Sequence, residues 1–192
     1  MMSDHSRKIV FYLLRNFELV NINQLAKLLD ISVGSAFKTL KALEEKNIVT
    51  HQKLGNAKFY SLNLNNDETK KICELLLLEQ RRELTSYSKL YAQEIAKFEN
   101  TQLIILFGSV LNNKNFNDVD VLFISVNVKE VNKFCLNLSK IKTKPIVPLI
   151  LKDSDLICEI KHKTDAVISI IKTGIVLKGE SKFVEIIQNA KS

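Results

Sequence analysis

Apolar positions in the first third of the chain recur every three or four residues. Between Ser6 and Asn16 they fall at Ile9, Val10, Leu13 and Leu14, the spacing of a helix with one buried face. Asn23–Leu29 repeats the pattern, with Leu25, Ala26, Leu28 and Leu29 facing inward. Asp30-Ile31-Ser32 then makes a short turn before a third helix that runs to Lys46, with Ala36, Phe37, Leu40 and Leu43 as its inner stripe. The period next changes to two. Ile48–Leu54 and Ala57–Leu62 alternate and are joined through Gly55-Asn56, a hairpin signal because glycine accepts the positive φ of a tight turn.

From Asn66 to Glu99 no proline or glycine intervenes, which predicts one long helix or two in line, opening at the acidic Asp67. Its apolar side passes through Ile72, Leu75, Leu76, Leu84, Tyr87, Leu90, Tyr91 and Phe98, and charged Glu79–Glu83 break it. Beyond it, apolar runs at Leu103–Phe107 and from Val119 predict two strands, and Val128–Ile141 a helix burying Val131, Phe134, Cys135 and Leu138. Pro145–Leu151 reads as an edge strand, since neither of its prolines can donate to a ladder. Helices near Ser154–His162 and Asp165–Lys172, a short strand between Gly174 and Gly179, and a last helix at Ser181–Ala190 complete an α+β chain. It divides into residues 1–65, a connecting and dimerisation helix at 66–100, and residues 101–192.

The third helix leaves Val33, Gly34, Ser35, Lys38, Thr39 and Lys41 wholly or partly outward. Small and basic residues on such a face suit a DNA groove. With Ser32 at the helix start and Lys53, Asn56 and Lys58 in the hairpin, they form the candidate DNA contacts. Over Ser6–Asn63 the pattern resembles the winged helix of bacterial and archaeal regulators of the arsenic-repressor and multidrug-repressor type. ISVGSAFKTLKALEEKNIV is its most specific piece. The resemblance implies double-stranded DNA as partner and a homodimer formed through the helix after the wing. The alternative is a winged helix that docks protein, and Glu44-Glu45 show that the third helix is not uniformly basic.

The stretch LIILFGSVLNNKNFNDVD, Leu103–Asp120, carries the chemistry. An apolar strand ends in Gly108-Ser109, and Asp118 and Asp120 open the next apolar run. Alternation along a strand puts the two carboxylates on one face, roughly 6–7 Å apart, where they repel unless they are exposed at the sheet's edge or a divalent cation neutralises them. Ser109 and the amides after it are expected to start a helix whose N–H groups face a triphosphate. From Gln102 onward the chain resembles the minimal nucleotidyltransferases of the DNA polymerase beta-like superfamily. The resemblance implies Gly108 and Ser109 for the phosphates, and Asp118 and Asp120 as catalytic metal ligands. It further implies Mg2+ or Mn2+ with a nucleoside triphosphate as cofactors, and a protein or small molecule as acceptor. Two departures stand out. The eight residues between Ser109 and Asp118 make a loop shorter than the family's, and the strand expected to hold a third carboxylate, Pro145–Leu151, has no acid, with Pro148 at the family position. Asp153 and Asp155 follow that strand, where Asp153 or Ser154 is also placed to cap a helix. Two readings therefore stay open: a transferase, or an inactive transferase fold that senses nucleotide or docks a partner in a transcriptional or toxin-system regulator.

Net charge is +7. Residues 1–66 hold nine Lys/Arg against five Asp/Glu and residues 101–192 thirteen against nine, while 67–100 are nearly neutral, so both ends are basic. No apolar run is long enough to cross a bilayer, the start MMSDHSRK lacks a signal-peptide pattern, and a cytoplasmic protein is expected. Cys73, Cys135 and Cys158 are widely spaced, which predicts buried thiols rather than a disulfide or zinc site. His5, His51 and His162 look isolated from one another and from the cysteines.

Overall fold

The structure, a computed structural model, describes residues 2–112 and 115–191. The chain divides into two compact units, Met1–Leu76 and Leu77–Ser192.

In the first unit, α1 (Asp4–Arg15) is followed by β1 (Val20–Asn21), α2 (Ile22–Leu28), α3 (Val33–Glu45), β2 (Val49–Leu54), β3 (Ala57–Leu62) and the start of α4 (Asp67–Arg82). Side chains define the helix starts. Asn21 Oδ1 accepts the Gln24 N–H at 3.1 Å while Gln24 Oε1 accepts the Asn21 N–H at 2.9 Å, a reciprocal cap. Ser32 Oγ accepts the Ser35 N–H at 3.1 Å. The three strands are antiparallel in the order β1-β3-β2. The short β1, which alternation had not revealed, pairs Val20 with Tyr60. Ile9, Val10, Leu13 and Leu14 of α1 share the core with Leu25, Ala26, Ala36, Leu40 and Leu43. Helix, helix-turn-helix and hairpin together make a winged helix-turn-helix.

Two assignments of the inner face are corrected. Phe37 is 58% exposed, and Leu28 is exposed as well. One residue turns a helix by about 100°, so with Ala36, Leu40 and Leu43 buried, Phe37 lies at the margin of the stripe and points outward.

The second unit holds the rest of α4, then α5 (Ser86–Ile95), β4 (Leu103–Phe107), β5 (Val119–Ile124), α6 (Val128–Ile141), β6 (Ile146–Leu151), α7 (Asp153–Lys161), α8 (Asp165–Thr173), β7 (Ile175–Lys178) and α9 (Glu180–Lys191). Its sheet runs β6-β5-β4-β7, with β5 and β6 parallel and the other pairs antiparallel. The edge position of β6 agrees with Pro148 inside it and Pro145 just before it. One face of the sheet presents Ile104, Leu106, Val119, Val121, Phe123 and Ile146 to a core shared with α5 and α6. Buried Ile105, Leu122, Ile124 and Val176 alternate with these and belong to the opposite face, against which α8 and α9 pack.

The stretch 66–100 is not a free-standing connecting helix. It breaks at Glu83–Thr85, Ser86 takes a φ of +51°, and Leu84, Tyr91, Ala92, Ile95 and Phe98 are core residues of the second unit. Near-neutral composition reports the outer face of such a helix and does not reveal what its apolar stripe covers. No described helix is long and apolar enough to cross a membrane.

Candidate functional site

β4 places Phe107 opposite Asp120 in the antiparallel ladder, and the chain leaves the sheet directly afterwards at Gly108. Gly108 has a φ of +83°, a conformation that side chains disfavour. A Cβ built there would run into the Asp120 carboxylate, with Asp120 Cγ 3.2 Å away. Backbone and carboxylate are thus in direct apposition, and Ser109 follows at once. Asp118 stands two residues before Asp120, and both are partly buried. The Asp120 carboxyl is held above the ordinary carboxylate range, first by burial and second by the negative charge of Asp118. A divalent cation would relieve both penalties. Two carboxylates suit one Mg2+ or Mn2+ whose remaining positions are filled by phosphate and water. Among the described residues no group of three or more His, Cys, Asp or Glu converges to cage a metal without such help.

The expected helix after Gly108 is a single 3-10 turn, Ser109–Leu111. Three residues sum too few peptide dipoles to make a charged helix end, so any phosphate contact falls to individual N–H groups and to the Ser109 hydroxyl. The loop that follows includes Asn113 and Lys114, which lie outside the described residues. Its two ends are anchored in the core by Val110 and by Phe116, which is 4% exposed. The Phe116 ring meets Tyr87 and Tyr91 edge-on, at centroid distances of 6.0 and 5.9 Å. Tyr91 in turn donates its hydroxyl to the Lys144 carbonyl at 3.2 Å and accepts the Lys144 N–H at 2.9 Å. One aromatic cluster therefore holds both the approach to Asp118 and the start of β6. Sequence reading passed over Phe116; the available signal was a lone aromatic inside the asparagine-rich NNKNFND.

The position expected for a third carboxylate is also corrected. The parallel register sets Val147 beside Asp120 and Pro148 beside Val121, so Pro148 belongs to the opposite face. Val147 is 46% exposed and apolar. Asp153 and Asp155 come after Leu151, which pairs with Ile124, about 15 Å or more along the strands from Asp120. Asp155 accepts the Lys152 N–H at 3.4 Å and the Ser154 hydroxyl at 3.1 Å, and Asp153 pairs with Lys182. The acids thus serve the start of α7, where the N-cap is Lys152. A cavity of about 660 Å3 lined by Gln102, Ser125, Lys152 and Asp153 opens at that far end, away from Gly108 and Asp120.

In the first unit, α3 exposes Val33, Gly34, Phe37, Lys38 and Lys41, with Ser35 and Thr39 partly buried. Ser32 donates its hydroxyl to Ser35 Oγ at 2.9 Å while capping the helix, so both serines already have internal partners. In the hairpin Lys53 lies directly opposite Lys58, next to a turn formed by Gly55, at φ +59°, and exposed Asn56. The Nδ1 of His51 pairs with Glu44, tying the wing to α3. Not all of the thiols are buried. Cys158 is exposed, and its Sγ lies 3.5 Å from His162 Nδ1, so His162 is not isolated from the cysteines, whereas burial pushes the Cys135 thiol up to about 11.

The chain matches no protein-family model and no curated protein. Among solved structures it is similar to the adhesin competence repressor of Streptococcus pyogenes, at 18% identity and a TM-score of 0.37, over 51% of this chain and 69% of that one. So distant a likeness carries no function across.

Proposed function

We propose that the protein binds duplex DNA through its winged-helix unit and a Mg2+-bound nucleoside triphosphate at Gly108, Ser109, Asp118 and Asp120. The DNA half rests on the wing. Two lysines directly opposite on adjacent strands repel each other, and polyanionic phosphate is the partner that turns this local cost into affinity. The nucleotide half rests on the apposition of Gly108 to Asp120, which brings unencumbered backbone beside a carboxylate whose proton affinity is raised by burial and by Asp118. The order β4, turn, β5, α6, β6 supports likeness to the polymerase beta-like transferases.

Val147 favours nucleotide sensing over rapid transfer. Attack of an acceptor hydroxyl on the α-phosphorus expels pyrophosphate and releases a proton, which a base beside the metal ligands would take. Mg2+ supplies charge neutralisation and phosphate orientation. Asp118 and Asp120 would hold it, Gly108 gives the phosphates close access, and Val147 offers nothing to the proton. Sensing therefore dominates, with slow transfer to a protein or small acceptor as the second reading.

Calorimetry with each triphosphate plus Mg2+ or Mn2+, combined with product mass, tests the nucleotide half. Anisotropy of labelled duplexes across a salt series, with and without nucleotide, tests the other. Metal-dependent triphosphate binding and salt-sensitive duplex binding are expected. Absence of either removes that half of the proposal.

A further inference from the structure

The outward stripe of α3 is unusual for a surface facing water. Val33 and Phe37, one helical turn apart, are 48% and 58% exposed, and between them Gly34 has nothing within 4 Å of where a Cβ would sit. No packing need within the protein accounts for a glycine in a helix, which lowers helix stability relative to alanine. Exposed Lys38 and Lys41 continue the same stripe. The face is therefore apolar and recessed toward its N-terminal half and cationic beyond.

α3 contains no Arg, Asn or Gln, so the planar side chains that read guanine or adenine by paired hydrogen bonds are missing from it, and lysine, the remaining reader of guanine, stands only beyond the apolar half, at Lys38 and Lys41. Ser35 is engaged with Ser32. The groove feature that an aliphatic or phenyl side chain can recognise is the thymine C5-methyl, and residues near the start of a recognition helix are the ones that reach base edges. We infer that Val33 and Phe37 read thymine methyl groups in the major groove, with Gly34 admitting close approach and Lys38 and Lys41 engaging the flanking phosphates. This inference rests on the proposed DNA binding and adds what is read.

The test uses the full chain. A duplex is selected from a random pool, and each thymine in it is replaced singly by deoxyuridine, which lacks only the methyl. At one or two positions per bound helix, affinity should fall about fourfold, the value of one buried methyl. In Phe37→Ala the preference for thymine over deoxyuridine should vanish at a specific position while the salt dependence persists. Phe37 is exposed, so this variant should keep the native fold and melting temperature. A selected duplex bound equally well with deoxyuridine at every position would overturn the inference while leaving DNA binding intact. An unchanged thymine preference in both Phe37→Ala and Val33→Ala would do the same. Failure to select any duplex would overturn the inference together with the DNA-binding proposal, leaving a face suited to protein docking.

Discussion

A side chain at Gly108 would have to share space with the Asp120 carboxylate, whereas one at Gly34 would meet nothing within 4 Å. The first glycine is required from inside the fold. Gly108→Ala is expected to cost about 1–3 kcal/mol from backbone conformation alone and to abolish metal-dependent triphosphate binding, measured by denaturant melts and calorimetry. At Asp120 the sign of the pH dependence follows from its raised pKa. The folded state holds the proton more tightly than the unfolded chain, so this group favours folding below its unfolded value, and that contribution is lost as pH rises through the folded one. Burial is the larger cause and Asp118 the smaller. In Asp118→Asn the Asp120 titration, followed by carboxyl NMR, should therefore move down toward the ordinary range and stop short of it, and Mg2+-dependent triphosphate affinity should fall.

At the scale of elements, strand register decides which residue meets the aspartates. Val147→Asp places a third carboxylate beside Asp120 and should raise Mg2+ affinity and any transfer rate. Pro148→Asp puts its charge on the face shared with core Val121 and should instead lower the melting temperature. The wing makes a separate prediction. If Lys53 and Lys58 each neutralise one phosphate, their joint replacement by alanine should make the slope of log affinity against log salt shallower by about 1.8. An unchanged slope would place the wing off the DNA. The break between α4 and α5 has a similar logic: Glu83–Thr85 interrupt a stretch with no helix-breaking residue in it, because Leu84 and Tyr91 are drawn into the sheet's core.

For the whole molecule, the dimer expected from the winged-helix resemblance has fewer apolar residues to use than the stripe 72–98 suggested. Leu75, Tyr87 and Leu90 remain exposed, while Leu84, Tyr91 and Phe98 are buried. Light scattering at micromolar concentration should give twice the 21.9 kDa chain mass, and Leu75→Glu with Leu90→Glu should return it to the monomer. A wild-type chain that stays monomeric on DNA would remove the dimer. Local patterns were enough to read most elements from the sequence: α6 has the predicted bounds Val128–Ile141, and β3 begins and ends at Ala57 and Leu62 as alternation indicated. Periodicity and turn chemistry act within a few residues, and so does the two-residue spacing that put Asp118 and Asp120 together. Tertiary packing alone decided the outward turn of Phe37, the burial of Phe116, the break before Ser86 and the pairing of Val147 with Asp120. Each depends on which distant segment lies opposite, and a residue's own neighbours in the chain carry no record of that.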